Sequence, residues 1–279
     1  MHQYTKPTIQ TKKRSLRQFA ALQATPLLRR ICLLLALSFL ILRLPGSPFP
    51  DRETSVYYIN LQHRHDRRES IEKVLRLADF QFERVDAVNV QSNAELISGC
   101  EEDIKSWCAG KLGCKLSHVS ALQRAMRTLQ SDYVMIFEDD FNWTKIVEPR
   151  RIHQIINTVQ VTFPDWKVFL LSANFGSFES TGHRIQTSIN FAAEVVRVFA
   201  AQTTHAYVVN AKYITALKSN FESCNVLMKN VAIDQCWKEL QRVDQWYGFV
   251  PQLGIQMDGY SDILSEVKEQ TWTRQGFVG

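Results

Sequence analysis

Two short stretches of β-forming, apolar residues, Val56–Leu61 and Tyr133–Phe137, break off abruptly into charged segments. That pattern constrains the chain more than any other. A strand whose successive residues are nearly all apolar must be buried on both faces, as in a mostly parallel sheet covered by helices on either side. The first stretch leads into a helical pattern from Asp66, with Ile71, Val74, Leu75 and Ala78 on one stripe and Arg67, Arg68, Glu69, Glu72, Lys73 and Arg76 on the other. Phe80–Val88 reads as a second strand, and strand, helix, strand in that order predict a βαβ unit. Further along, Leu116–Leu129 has helical periodicity and Arg151–Val161 predicts another helix. Trp166–Leu171 predicts a buried strand, and Ala206–Val209 another. Helices are expected over Ala211–Lys218 and near Ile233–Leu240. The Gly-, Ser- and Thr-rich stretch from Asn174 to Asn190 reads as a surface loop or lid over a ligand site. The expected class is α/β, one domain with a mostly parallel central sheet.

The 279 residues, 45% hydrophobic and 11% aromatic, suffice for one sizeable core. The formal charge of +5 is unevenly placed. Residues 1–50 hold eight of the 33 Lys and Arg and none of the 28 acids, so residues 51–279 carry 25 basic against 28 acidic side chains. That balance offers no basic face for nucleic acid. The basic N-terminus runs into the uncharged stretch Ile31–Leu42. We read residues 1–29 as a cytosolic tail, 30–44 as an uncleaved signal anchor, 45–54 as a short Pro/Gly-rich stem and 55–279 as the folded domain. The anchor spans a bilayer if Pro26–Leu44 counts and Arg29, Arg30 and Arg43 snorkel. Arg29, Arg30 and Lys12-Lys13-Arg14 on the cytosolic side put the body in the lumen, giving a single-pass type II protein of the Golgi or endoplasmic reticulum. A cleaved signal peptide and an Arg-rich organellar leader are the rival readings. Beyond Cys32 there are five cysteines. Cys100 with Cys108 and Cys224 with Cys236 are the locally plausible disulfides, buried free thiols being the alternative, and no pair has zinc spacing.

Glu138-Asp139-Asp140 follow Tyr133–Phe137 directly, at the strand end where ligands of open α/β sheets gather. Three adjacent carboxylates repel one another, and a divalent cation relieves this. Oxygen ligands suit Mn2+ or Mg2+, which keep positions open for phosphate oxygens. Taken alone, the triplet could equally be a solvated acidic loop. The segment Asn60 to Arg68 lies after the first strand, at the same edge, where arginines and a helix N-terminus could hold a nucleotide or its phosphates. The plain alternative is that Asp66 caps the helix and the arginines form its solvated face. Gly113-Cys114-Lys115-Leu116-Ser117-His118 stands at a helix start, where Ser117 or His118 could contact a substrate.

These three segments, in this order, resemble glycosyltransferase family 25. The shared pattern is Ile-Asn-Leu-x-x-Arg-x-Asp-Arg-Arg (Ile59 to Arg68), Gly-Cys-x-Leu-Ser-His (Gly113 to His118) and Glu-Asp-Asp after a strand. Weaker echoes are Asp165-Trp166, Ala206–Val209, Ile233-Asp234-Gln235 and Gly259–Ile263. The resemblance covers about residues 55 to 264, and residues 172–201 match it poorly. It implies a GT-A fold, a single Rossmann-like domain, using a UDP-sugar donor, most often UDP-galactose. Its reaction would be inverting transfer to a hydroxyl of a glycan or protein acceptor. On that reading Glu138 and Asp140 hold the metal, with Asp139 beside the diphosphate. Asn60, Leu61, Arg64, Arg67, Ser117 and His118 line the nucleotide-sugar site. Asp234 serves as the base that deprotonates the acceptor. Asp262 and His205 stand in reserve, as a base or a further metal ligand. The alternatives are a catalytically inactive anchored relative that binds glycan or protein, and a metal-dependent phosphohydrolase.

Overall fold

The computed structural model describes residues 55–90, 95–98, 100, 105–128, 131–229, 231–261 and 266–268. The expected tail, anchor and stem, and Asp262, lie outside the described residues. Among those described, no helix is long and apolar enough to cross a membrane.

The opening βαβ unit forms as its pattern predicts: β1 (Ser55–Asn60), α1 (His65–Leu77) and β2 (Phe82–Asp86), with β1 and β2 parallel. The next helix, α2 (Lys105–Thr128), starts well before Leu116. β3 (Tyr133–Glu138) then pairs parallel with the other edge of β1. A short β4 (Phe141–Trp143) and α3 (Ile152–Thr162) follow. Apolar residues alternate between two cores. Tyr57, Ile59, Val134 and Ile136 face one, with Leu112, Ala121, Leu122 and Ala125 of α2. Val56, Tyr58, Met135 and Phe137 face the other, with Ile71, Val74 and Leu75 of α1 and Ile152, Ile155 and Ile156 of α3. The sheet is thus a filling between two helical layers, which explains strands apolar at nearly every position.

The expectation of a loop from Asn174 to Asn190 is overturned. β5 runs Val168–Gln186 and β6 runs Ala192–Asn210, and the two form one long antiparallel hairpin. The outer half of β5 is largely solvent-exposed, so its polar composition reads like a loop while the backbone ladder holds it as a strand. Chain order then gives α4 (Ile214–Ser223), α5 (Val226–Lys229), α6 (Ile233–Cys236), α7 (Lys238–Val243), β7 (Trp246–Val250), β8 (Gly254–Gln256), β9 (Gly259–Ser261) and β10 (Glu266–Lys268). The single helix expected over Ile233–Leu240 is therefore two short ones.

The sheet order is β2-β1-β3-β6-β5-β7. All strands share one direction except β6, which is antiparallel to both β3 and β5. β7 pairs along one edge with the start of β5 and along the other with Glu194–Arg197 of β6. The outer hairpin thus curls back and covers what would otherwise be an open edge. Both expected disulfides, Cys100–Cys108 and Cys224–Cys236, are present, and Cys114 is the free cysteine among the described residues.

β4 and β8 pair antiparallel below the acidic segment, with Trp143 opposite Gly254 and Phe141 opposite Gln256. Gly254 is needed there, because a Cβ would lie 2.0 Å from the ring of buried Phe141. We expect Gly254→Ala to lower stability by about 1–3 kcal/mol, the usual cost of overpacking, measured as a lower urea midpoint with unchanged slope.

Candidate active site

β3 carries apolar residues up to Phe137 and then releases Glu138, Asp139 and Asp140 into the turn that opens β4. The turn is fixed from several sides. Met257 N donates to Asp140 O at 2.7 Å, and Gln256 Nε2 to Asp140 Oδ2 at 2.9 Å. Asp139 accepts from Asn60 Nδ2 at 2.8 Å and from Arg67 Nη1 at 2.9 Å, and the same Arg67 nitrogen stands 3.8 Å from Asp140 Oδ2. The βαβ unit therefore supplies the groups that neutralise the acidic turn. Asp140 Oδ1 is buried with no hydrogen-bond partner. Burial, then the charges of Glu138 and Asp139, push the Asp140 carboxyl up to about 7. Burial also raises Asp139, against the pull of Arg67 and Asn60.

Other members of the strand-one segment are placed differently. Arg64 closes on Asp66 as a fork, Nε to Oδ1 at 3.0 Å and Nη2 to Oδ2 at 2.9 Å. Leu61 contributes its carbonyl, which accepts from Arg64 N at 2.9 Å.

Glu138 makes contacts of its own. Its Oε1 accepts from Thr204 Oγ1 at 2.6 Å and lies 3.1 Å from His118 Nε2, while His118 Nδ1 lies 3.0 Å from the Tyr207 hydroxyl. Burial opposes ionisation of Glu138, but the His118 and Thr204 hydrogen bonds outweigh it and bring the carboxyl down to about 2. Glu138 thus meets His118 and Thr204, with Cys114 near, while its charge also acts on Asp140. The reading of Ser117 as a nucleotide contact is corrected. Ser117 is 2% exposed; its hydroxyl donates to Gly113 O at 2.6 Å and accepts from Val88 N at 2.8 Å. At Gly113 a Cβ would stand 2.7 Å from Val88 O. Gly113 and Ser117, one turn apart on α2, thus clamp the helix against the chain leaving β2. His118 likewise is buried in an internal hydrogen-bond chain rather than lining an open donor site.

Asp234 lies in the first turn of α6, and its Oδ2 accepts from Thr203 N at 2.9 Å. Its Oδ1 is buried and unpartnered, and burial raises its pKa. Thr203 has φ of 69°, a left-handed conformation that a β-branched residue adopts only at a cost of about 1–3 kcal/mol. Its own Oγ1 is buried without a partner.

Two residues on, His205 has a protonation pattern that its neighbours dictate. Gln252 Nε2 donates to Ala173 O at 2.6 Å and Gln252 Oε1 accepts from Ala173 N at 2.8 Å, which fixes the amide. Ser172 Oγ must then donate to Gln252 Oε1, at 3.0 Å, and accept from His205 Nε2, at 2.7 Å. Nδ1 is left as a bare, buried lone pair, and burial brings the ring down to about 4, so it is neutral.

The fold thus brings Asn60, Arg67, Asp139 and Asp140 together and sets Asp234 and His205 on the reversed strand's side of the same sheet edge. The missed participants are Thr203, Thr204, Tyr207, Gln252 and Gln256.

A strand-end acidic turn, held in part by an Asn/Arg-bearing βαβ unit, is thus the centre of the candidate site. The family model described as Glycosyltransferase family 25 (LPS biosynthesis protein) matches residues 53–237, and the chain belongs to that family. Procollagen galactosyltransferase 1-B of Xenopus laevis is 29% identical over 136 residues, covering 44% of this chain and 22% of that protein. Procollagen galactosyltransferase 1-A of the same organism is 28% identical over 135 residues, with the same coverage. The chain thus spans 22% of the length of these curated relatives. A crystal structure of a glycosyltransferase involved in the glycosylation of the major capsid of PBCV-1 superposes with a TM-score of 0.42 at 7% identity, covering 73% of this chain and 92% of that one.

Because Ser117 serves the helix clamp, Ser117→Ala is expected to cost about 1–3 kcal/mol through the unsatisfied Val88 N–H. A lower urea midpoint with unchanged slope is the expected readout; a midpoint equal to the parent's would remove the clamp role of Ser117.

Proposed function

We propose that the chain is a glycosyltransferase that moves a hexose, galactose first among the possibilities, from a UDP-sugar to a hydroxyl of a glycan or protein acceptor. The observation that carries this reading is Asp140: a carboxyl at the sheet's ligand-binding edge, buried, with one oxygen lacking any partner. A buried carboxylate is costly unless something compensates it. The unpartnered Oδ1 of Asp140 is the hard oxygen donor that Mn2+ or Mg2+ takes, and the bare Nδ1 of His205 is a second available atom. Asp140 would hold the ion, with His205 within the same strand-end region as a further ligand. When bound, such an ion neutralises the charge that develops on the departing diphosphate.

In this reading Asn60 and Arg67 hold Asp139 and keep a guanidinium beside the phosphates. Asp234 is the acceptor-side base: its Oδ2 is anchored on Thr203 N, leaving Oδ1 to take the hydroxyl proton, and its raised pKa suits a group that must accept one. A base opposite the leaving group gives inversion. A GT-A arrangement agrees with the three parallel strands β2, β1 and β3 followed by the acidic turn and the reversed β6. The two disulfides suit an oxidising lumen, and a type II orientation through residues 30–44 would place the domain there. The galactosyltransferase names of the relatives support UDP-galactose as the first donor to test.

A panel of UDP-sugars with and without Mn2+ tests the reading. We expect metal-dependent release of UDP from one sugar nucleotide. Asp140→Asn should reduce the rate at least about 100-fold, and Asp234→Asn about 10²–10⁴-fold in transfer, with donor binding retained in the Asp234 variant. Metal-independent turnover would overturn the metal role of Asp140. Binding of glycan or protein with no turnover of any UDP-sugar would identify an inactive relative instead.

A further inference from the structure

Cys114, His118 and Glu138 place three different ligand atoms within 4.8 Å of one another, at the first residue of the acidic turn. Cys114 and His118 are four residues apart on α2 and so share one face of the helix. Glu138 meets them from the end of β3. We propose that these three residues form a site for a borderline-soft divalent metal ion, zinc in kind, next to Asp140 but with its own ligand set, a site that does not rest on the transferase reading.

The ligand chemistry differs in the thiolate: Asp140 and His205 offer oxygen and imidazole nitrogen, whereas thiolate, imidazole and carboxylate together suit Zn2+ and the metals that replace it. The spacing fits as well. Two N or O ligands at about 2.0–2.1 Å from a tetrahedral ion sit about 3.3 Å apart, and His118 Nε2 and Glu138 Oε1 are 3.1 Å apart. A thiolate at about 2.3 Å from the ion would sit about 3.6 Å from either. The 4.8 Å limit therefore asks the thiol to close by about 1.2 Å at most.

Both non-sulfur ligands also have the outer partners that metal ligands usually have. Tyr207 OH stands 3.0 Å from His118 Nδ1 and orients the ring so that Nε2 faces Glu138. Thr204 Oγ1 holds the Glu138 carboxylate at 2.6 Å. The three protein ligands leave a fourth position for water. On binding, Cys114 gives up its thiol proton to solvent. His118 would ligate through Nε2 with Nδ1–H donated to the Tyr207 oxygen, and Glu138 through its carboxylate.

The test uses the full-length chain, stripped with a chelator and kept free of reductant so that both disulfides persist, then titrated with Co2+ alone. The expected result is a thiolate-to-cobalt charge-transfer band in the near ultraviolet that saturates at one ion and disappears when one equivalent of Zn2+ is added. Cys114→Ser should abolish the band, and Glu138→Gln should keep it while weakening cobalt affinity at least tenfold. Absence of the band in the parent chain overturns the proposal whatever the variants do. So does a band of equal strength in Cys114→Ser, which would place the metal on Cys32. Should Cys114→Ser fail to fold, Cys114→Ala, which fills less of the same space, takes its place.

Discussion

The contact of Asp139 with Asn60 and Arg67 is the interaction on which the rest of the site depends. Three consecutive carboxylates are folded into the edge of a sheet with little water around them, and each must be answered by something. Asp139 is answered by the first βαβ unit, Glu138 by α2 and β6, and Asp140 only in part, by Gln256 and the more distant Arg67. Because the first two are satisfied within the protein, the unmet demand is concentrated on Asp140. A run of like charges has been resolved into two carboxylates with close partners and one with an oxygen left unpaired.

The reversed strand β6 makes that division possible. Running antiparallel between β3 and β5, it brings Thr203, Thr204 and His205 to the edge where the parallel strands end. An all-parallel sheet would have only strand C-termini and loops there. Here a strand interior contributes, which is why a hydroxyl, an imidazole and a left-handed threonine can be held rigidly opposite the acidic turn.

The parts legible in the sequence were those governed by local period. β1, α1, β2 and β3 follow from apolar runs and an amphipathic stripe, and the disulfides from short spacing. The hairpin β5–β6 was hidden because its outer half is paired through backbone atoms while its side chains face solvent, so composition imitates a loop. In the site, Asn60, Arg67, Asp139 and Asp140 were legible because chain order and sheet topology place them together. Ser117 misled: a small polar residue in a shared motif suggests chemistry, yet its spacing from Gly113 reports close helix packing. Thr203, Thr204 and Gln252 carried no signal at all, since their roles arise from register across the hairpin and from a single amide orientation.

Gln252 and Gln256 fix the two most exacting features of the edge, the tautomer of His205 and the second oxygen of Asp140. Both come more than a hundred residues after the acidic turn in chain order. During synthesis from the N-terminus, the βαβ unit and α2 can therefore assemble while Asp140 is still without its amide partner and His205 is free to take either tautomer. The edge acquires its final charge state only when the last strands close over it, so maturation of the site is coupled to completion of the fold.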